Sequence, residues 1–396
     1  MNDTLSFREP DGLPIDLGST RSSGINAIAY HRLCKSLGIK EQTRVFDVRQ
    51  YLALVSSPVL SWACGALTPL FPLRPAAGLA INRWKSHGMP NLTDPLVPAD
   101  FEPERQKDGS SLLRGKEGVE RLRRAAEGLY FEDFNPPFAD VTSPSTFEAL
   151  HTGVSAARDS DNLEWVAAEA QRLDSSDMAV VLTTPISFFE RGIKDFGYEE
   201  WLVKVMTEVG VVNAYLDLIE HEYVDLLETW SEVIKGDPEA ILVSDDLGSQ
   251  QGPLISPEVY RELFKPRHEG IVSTIRKMFP ASKVLLHCCG SIREMIPDLI
   301  EAGFDALNPI QIAARGMDPG ELKREFGRDI AFWGGGIDTQ HTLVNGTPDE
   351  VCDETRRLIE TLAPGGGFVF SAVHNIQADV PAANIVALFE TASEYC

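Results

Sequence analysis

Short apolar runs in the second half of the chain each end in polar, glycine or metal-capable residues, and this recurrence constrains the fold more than any other feature. Ile241-Leu242-Val243 runs into Ser244-Asp245-Asp246-Leu247-Gly248, and Val284-Leu285-Leu286 into His287-Cys288-Cys289-Gly290. Phe304–Leu307 runs into Asn308-Pro309-Ile310-Gln311, and Ala331-Phe332-Trp333 into Gly334-Gly335-Gly336-Ile337-Asp338. Gly367–Phe370 runs into Ser371-Ala372-Val373-His374-Asn375. Between and before these runs lie stretches of helical periodicity, over 160–173, 197–209, 211–235, Ser256–Met278, Ile292–Ala302, Pro319–Phe326, Thr347–Leu362 and beyond Pro381, with a further strand at Ala179–Thr183. Strands apolar on both faces and alternating with helices predict a parallel sheet covered by helices. No GxGxxG follows the first strand, and repeated βα units over this length favour a (β/α)8 TIM barrel over a doubly wound sheet.

The first half is less regular. Residues 1–25 read as a polar, glycine-rich amino-terminal extension containing strand-like Pro14–Leu17. A helix is expected over 26–40 and a buried element over Leu52–Leu60. The stretch 85–140 holds many prolines and charges and a hairpin-like Lys107-Asp108-Gly109-Ser110 turn, followed by Tyr130, Phe131, Phe134 and Phe138. It reads as an insertion in one domain spanning 1–396. Core packing is the plainer role for its aromatics, and shaping a pocket the alternative.

In a parallel barrel the carboxy-terminal strand ends converge on one face, where chemistry sits. His287 and Cys289 are two residues apart on a strand and point the same way, so both can bind one ion. Imidazole with thiolate suits zinc. The competing reading is a buried histidine and two packed cysteines. Adjacent Cys288 points to the opposite face. His374, also just past a strand end, is the natural third ligand. Asp245 and Asp246 are candidates for a fourth ligand or a general acid/base, or for helix capping. Asn308 and Gln311 can hydrogen-bond a substrate or satisfy loop backbone. Gly335, within the glycine triplet, allows a ligand to approach the backbone, or makes a tight turn.

Composition excludes several classes. Net charge is -23, with 59 acidic and 36 basic residues, which argues against nucleic-acid binding and against docking on anionic lipid. No apolar run approaches the ~20 residues needed to span a bilayer, and a cytoplasmic location is expected. The six cysteines show no framework spacing, so a reduced state is expected.

Several of these segments form an ordered series with Ser256-Pro257-Glu258, Lys265-Pro266, Ala363-Pro364-Gly365-Gly366-Gly367 and Pro381-x-x-Asn384-Ile385. The series resembles the uroporphyrinogen decarboxylase superfamily over most of 175–390, which implies a (β/α)8 barrel. The decarboxylase branch carries an amino-terminal Met-Arg-Gln-Ala-Gly-Arg segment, of which Val48-Arg49-Gln50 is only a fragment. The cobamide-dependent methyltransferase branch carries His-x-Cys and a distant Cys. His287 and Cys289 match its first half, and His374 stands where that Cys would be. The resemblance thus implies a zinc-dependent methyltransferase that demethylates a small molecule, most specifically an O-methyl aromatic ether, and passes the methyl to a corrinoid (cobalamin) carried by a partner protein in trans. Zinc would sit on His287, Cys289 and His374, with Asp246 or Asp245 handling charge or a proton. The alternatives are a metal-free decarboxylase and a non-catalytic small-molecule or corrinoid-binding barrel. A homodimer is compatible with each.

Overall fold

Seven short strands stand side by side in chain order: β1 (Leu67–Leu70), β2 (Ala179–Thr183), β3 (Ala240–Ser244), β4 (Lys283–His287), β5 (Ala306–Asn308), β6 (Ala331–Trp333) and β7 (Phe368–Val369). All neighbouring pairs are parallel. The computed structural model describes residues 1–114, 120–143, 147 and 154–396. The eighth position of the expected barrel is held by Ile15, which bridges in parallel to Phe370 on one side and to Gly65 on the other. The Asp16 N–H donates to the Phe370 carbonyl at 2.8 Å and the Ala66 N–H to the Ile15 carbonyl at 2.9 Å. The expected eight strands are therefore seven strands and a bridging segment.

Side-chain alternation along these strands sorts the core into two. Leu67, Val181, Leu242, Leu285, Ala306, Ala331 and Val369 form a small inner cluster. Ile241, Val243, Val284, Leu286, Leu307 and Phe332 join the helices in the large outer one. The inner cluster also contains Leu5, from a short turn over Thr4–Ser6 whose Thr4 carbonyl accepts from the Gly367 N–H at 2.8 Å. Polar as residues 1–25 are in composition, Leu5, Leu13, Ile15, Leu17 and Ile25 among them are buried.

The helices that matter below are α1 (Ser160–Asp174), α2 (Phe189–Phe196), α3 (Tyr198–Thr207), α4 (Val209–Val233), α5 (Lys265–Met278), α6 (Pro319–Phe326) and α7 (Pro348–Leu362). α4 buries Val212, Leu216, Ile219, Tyr223, Leu226 and Trp230 at the three-to-four spacing of one helix face. α6 and α7 start with a proline in the first turn behind a capping side chain, Asp318 and Thr347. The helix expected over Ser256–Met278 is present as one helical run, in which Pro257–Val259 leads through a wider π turn over Tyr260–Phe264 into α5. Pro266 has no N–H to continue an α-helical ladder, so the chain widens before it. α2, absent from the sequence reading, fills the connection after β2.

The Lys107–Ser110 turn does join antiparallel strands, Glu104–Arg105 and Ser111–Arg114. Phe131 and Phe138 are buried, with Phe138 against Phe196 and Tyr215. The cysteines depart from expectation, because Cys64 and Cys396 form a disulfide. Among the described residues no helix is long and apolar enough to cross a membrane.

Candidate metal centre and adjoining pocket

Register brings the candidate residues together. Ser244 is level with His287, and His287 with Asn308, across three adjacent strands. Leu285 points inward, so His287 and Cys289, two and four residues on, follow it to the same side. Cys288 points outward into the main core, where its sulfur accepts the Leu247 N–H at 3.3 Å.

Asn308 determines which nitrogen of His287 is available. Its amide Nδ2 donates to the Trp333 carbonyl at 2.8 Å, which leaves Oδ1 facing Ser22 and His287. Oδ1 accepts from Ser22 Oγ at 2.8 Å and lies 2.7 Å from His287 Nδ1. An amide oxygen can only accept, so Nδ1 carries the hydrogen and Nε2 is left to ligate. Nε2 lies 3.7 Å from Asp246 Oδ1. The same oxygen accepts from the Cys289 N–H at 2.8 Å and lies 3.1 Å from Cys289 Sγ.

The ligand atoms of Asp246, His287 and Cys289 all fall within 4.8 Å of one another. Donors on one tetrahedral zinc, each ~2.0–2.3 Å from the ion, lie roughly 3.3–3.8 Å apart, so separations of 3.1 and 3.7 Å need only small adjustment. Burial, and next the Asp246 carboxylate, push the Cys289 thiol well up. A divalent cation would relieve the buried thiolate and the carboxylate together. The donor set therefore fits the ion that the sequence suggests.

His374 is not one of these three. Its ring centroid lies 5.9 Å from that of His287, and both side chains line a pocket of about 250 Å³ with Asp246. Burial and the neighbouring His287 push His374 down to about 4.

The structure separates the two aspartates that the sequence left as equals. Asp246 lines the pocket, whereas Asp245 lies behind it and is fully buried. Asp245 accepts the N–H groups of Phe188 and Glu190 at 3.0 and 2.8 Å and pairs with His268 Nε2 at 3.0 Å. His268 Nδ1 in turn meets the Tyr260 hydroxyl at 2.9 Å. Asp245 thus ties the start of α2 to the end of β3.

The three residues expected to contact substrate each have a partner within the protein. Asn308 spends its amide on His287, Ser22 and Trp333. Gln311 accepts from the Gly290 N–H at 2.7 Å and supports the loop after Cys289 from outside the residues that line the pocket. Gly335 has φ +94, and a Cβ there would stand 3.0 Å from the Ile310 carbonyl oxygen. Its freedom serves a tight turn against its own chain.

The pocket's remaining polar wall comes from residues the sequence reading passed over. Arg21, Ser22 and Gln50 line one part, and Glu190, Arg191 and Lys194 of α2 another. Lys194 Nζ pairs with Glu190 at 2.6 Å, and Arg191 with Asp195 at 2.8 Å. Burial pushes the Glu190 carboxyl up, but Lys194, His287 and Arg21 outweigh it and hold it at about 2. The strand-end rule, applied one strand earlier, would have flagged the segment after Thr183. Gln50 belongs to the Val48-Arg49-Gln50 fragment, while Arg49 pairs with Asp133.

Comparison with known proteins adds three findings. The sequence profile described as uroporphyrinogen decarboxylase (URO-D) matches residues 132–395. A methylcobamide:CoM methyltransferase, MtaA, of Methanosarcina barkeri is 24% identical over 213 residues, 53% of this chain and 52% of that protein. A methylated-thiol–coenzyme M methyltransferase of Methanosarcina mazei is 27% identical over 111 residues, 28% of this chain and 27% of that protein. The chain thus spans about half the length, or less, of these curated relatives. A solved methyltransferase from Methanosarcina mazei has the same fold, with a TM-score of 0.61 at 13% identity, covering 99% of this chain and 97% of that one.

Proposed function

The chain belongs to the uroporphyrinogen decarboxylase (URO-D) family, and we propose that it is a zinc-dependent methyltransferase that moves a methyl group between a heteroatom of a small molecule and a corrinoid held by a separate protein. The observation that carries this reading is the convergence of Asp246, His287 and Cys289 beside a polar pocket. The names of the curated relatives support the corrinoid and methyl-transfer parts of it.

Each side chain has a definite task. Asn308 holds His287 so that Nε2 faces the site. Asp246 Oδ1, 3.1 Å from Cys289 Sγ, is positioned to accept the thiol proton when the sulfur ionises. His374, pushed down to about 4, is uncharged at neutral pH and offers a further lone pair. Arg21 and the Glu190–Lys194 pair present charge to the polar part of a substrate. Zinc bound here supplies Lewis acidity toward the heteroatom that gives or receives the methyl group.

The methyl source that we infer is an O-methyl aromatic ether, demethylated toward the corrinoid. Were His374 to join His287 and Cys289 on the ion, two neutral imidazoles with one thiolate would leave it electrophilic enough to polarise an ether oxygen. A second reading, methylation of a thiol, is favoured by the relatives' names and by Asp246, whose carboxylate adds negative charge to the donor set. Metal analysis and turnover test both. Wild-type protein should hold one zinc that His287→Ala loses. It should form methylcobalamin from methoxyarenes and cob(I)alamin, or else consume methylcobalamin with a thiol. Full activity in metal-free protein would overturn the zinc assignment.

A further inference from the structure

Four of the five large apolar side chains that stand exposed among the described residues fall between 198 and 209: Tyr198, Val203, Met206 and Val209. Tyr198, half-buried Leu202 and Met206 recur every fourth residue along α3, with Val203 beside them, so they share one outward strip. The opposite face of α3, Trp201, Lys204 and Val205, is buried. Lys204 lies under the strip and reaches Glu200 at 3.1 Å and Glu208 at 3.3 Å. The strip is thus built on a firmly packed helix. Met206 is 63% exposed and Val203 53%. Contiguous apolar surface of this kind marks an interaction site.

Topology puts the strip on the same face as the pocket. Residues 184–208 connect the carboxy-terminal end of β2 to α4, and strand ends of that polarity surround the metal centre. Within this connection α2 lends Glu190, Arg191 and Lys194 to the pocket wall, and α3 follows after Gly197 alone. Tyr198 to Met206 spans roughly 12 Å at ~1.5 Å per residue. One side of a typical protein interface is about 800 Å², broader than the strip alone.

We propose that this strip is the docking surface for the corrinoid-carrying protein, an inference that rests on the function proposed above. The corrinoid has to be brought over the pocket, so its carrier must sit on this face. Charge favours that occupant over a second copy of the chain. The strip is edged by Glu199, Glu200 and Glu208 around the single Lys204, and the whole chain carries a net charge of -23. A two-fold pairing would set these acidic edges against each other. A partner with an apolar patch rimmed by lysine and arginine meets them favourably.

The test compares Val203→Glu and Met206→Glu, at positions exposed enough to leave the core intact, with Met206→Leu as the conservative control. Each is assayed in the direction that wild type supports, methoxyarene with cob(I)alamin or methylcobalamin with a thiol, using the cobalamin free and loaded on a purified corrinoid-carrying protein of the same organism. The glutamate variants should match wild type with free cobalamin and show about a tenfold or larger rise in KM for the protein-bound form, while Met206→Leu matches wild type with both. An unchanged KM for the protein-bound form overturns the docking surface and leaves the proposed function standing. A wild-type dimer in sedimentation that the glutamate variants dissociate overturns it in favour of self-association. No methyl transfer to or from free cobalamin by wild type in either direction refutes the function, and the docking surface with it.

Discussion

Asn308 orients a candidate ligand without lying among the candidate ligands itself. Its carbonyl oxygen, 2.7 Å from His287 Nδ1, selects the tautomer and aims the ring. Asn308→Ala should therefore weaken zinc binding about 10- to 100-fold, as measured by competition with a chelator, while leaving the melting temperature of the metal-free protein less affected than its zinc affinity. Glu190 makes a different prediction. Its folded-state value of about 2 lies below the ordinary 4.5. Between these values the unfolded chain binds more protons, so this group's contribution is full above about 4.5 and is lost as pH falls toward 2. Wild type should accordingly lose stability relative to Glu190→Gln over that window in acid denaturation curves, and parallel curves would refute the assignment. Sequence spacing was enough to pair His287 with Cys289, because strand alternation is a local rule. It could not separate Asp245 from Asp246, since that depends on the distant His268 and on the N–H groups of Phe188 and Glu190. Nor could it foresee that Ser22 reaches Asn308 across 286 positions of the chain.

At the scale of elements, legibility followed the strength of the local signal. α6 and α7 were expected almost to the residue because an oxygen cap and an early proline announce each start. α2 went unread because Gly192 interrupts a short, charged sequence. The structure explains that glycine, since an added Cβ would lie 2.1 Å from the Trp201 ring. α2 and α3 pack so closely there that no side chain fits. Gly192→Ala should force the two helices apart and destabilise the protein by about 1–3 kcal/mol, visible as a lower melting temperature. It should also raise KM for substrate, because Glu190, Arg191 and Lys194 move with α2. A variant with wild-type melting and kinetics would show that the packing is more yielding than this geometry implies.

The architecture of the whole molecule was legible in outline, because βα alternation and polar strand ends are properties of many residues at once. The closing segment was not. Ile15 forms single bridges to Phe370 and Gly65, too brief an element to leave a period in the sequence, and the burial of Leu5 comes entirely from tertiary contact. That burial has a kinetic consequence. With Leu5 and the inner apolar layer packed at the lower end, the pocket lies toward the opposite, strand-end face, and on the proposed function small molecule and corrinoid would share that approach. On the function proposed above, a small methyl carrier would enter before the bulky corrinoid protein covers the pocket, and would not leave until that protein departs. Initial rates should therefore follow an ordered sequence with the small molecule first, and excess corrinoid protein should slow turnover by blocking entry. Random-order kinetics without such inhibition would mean that a second way in opens during the cycle.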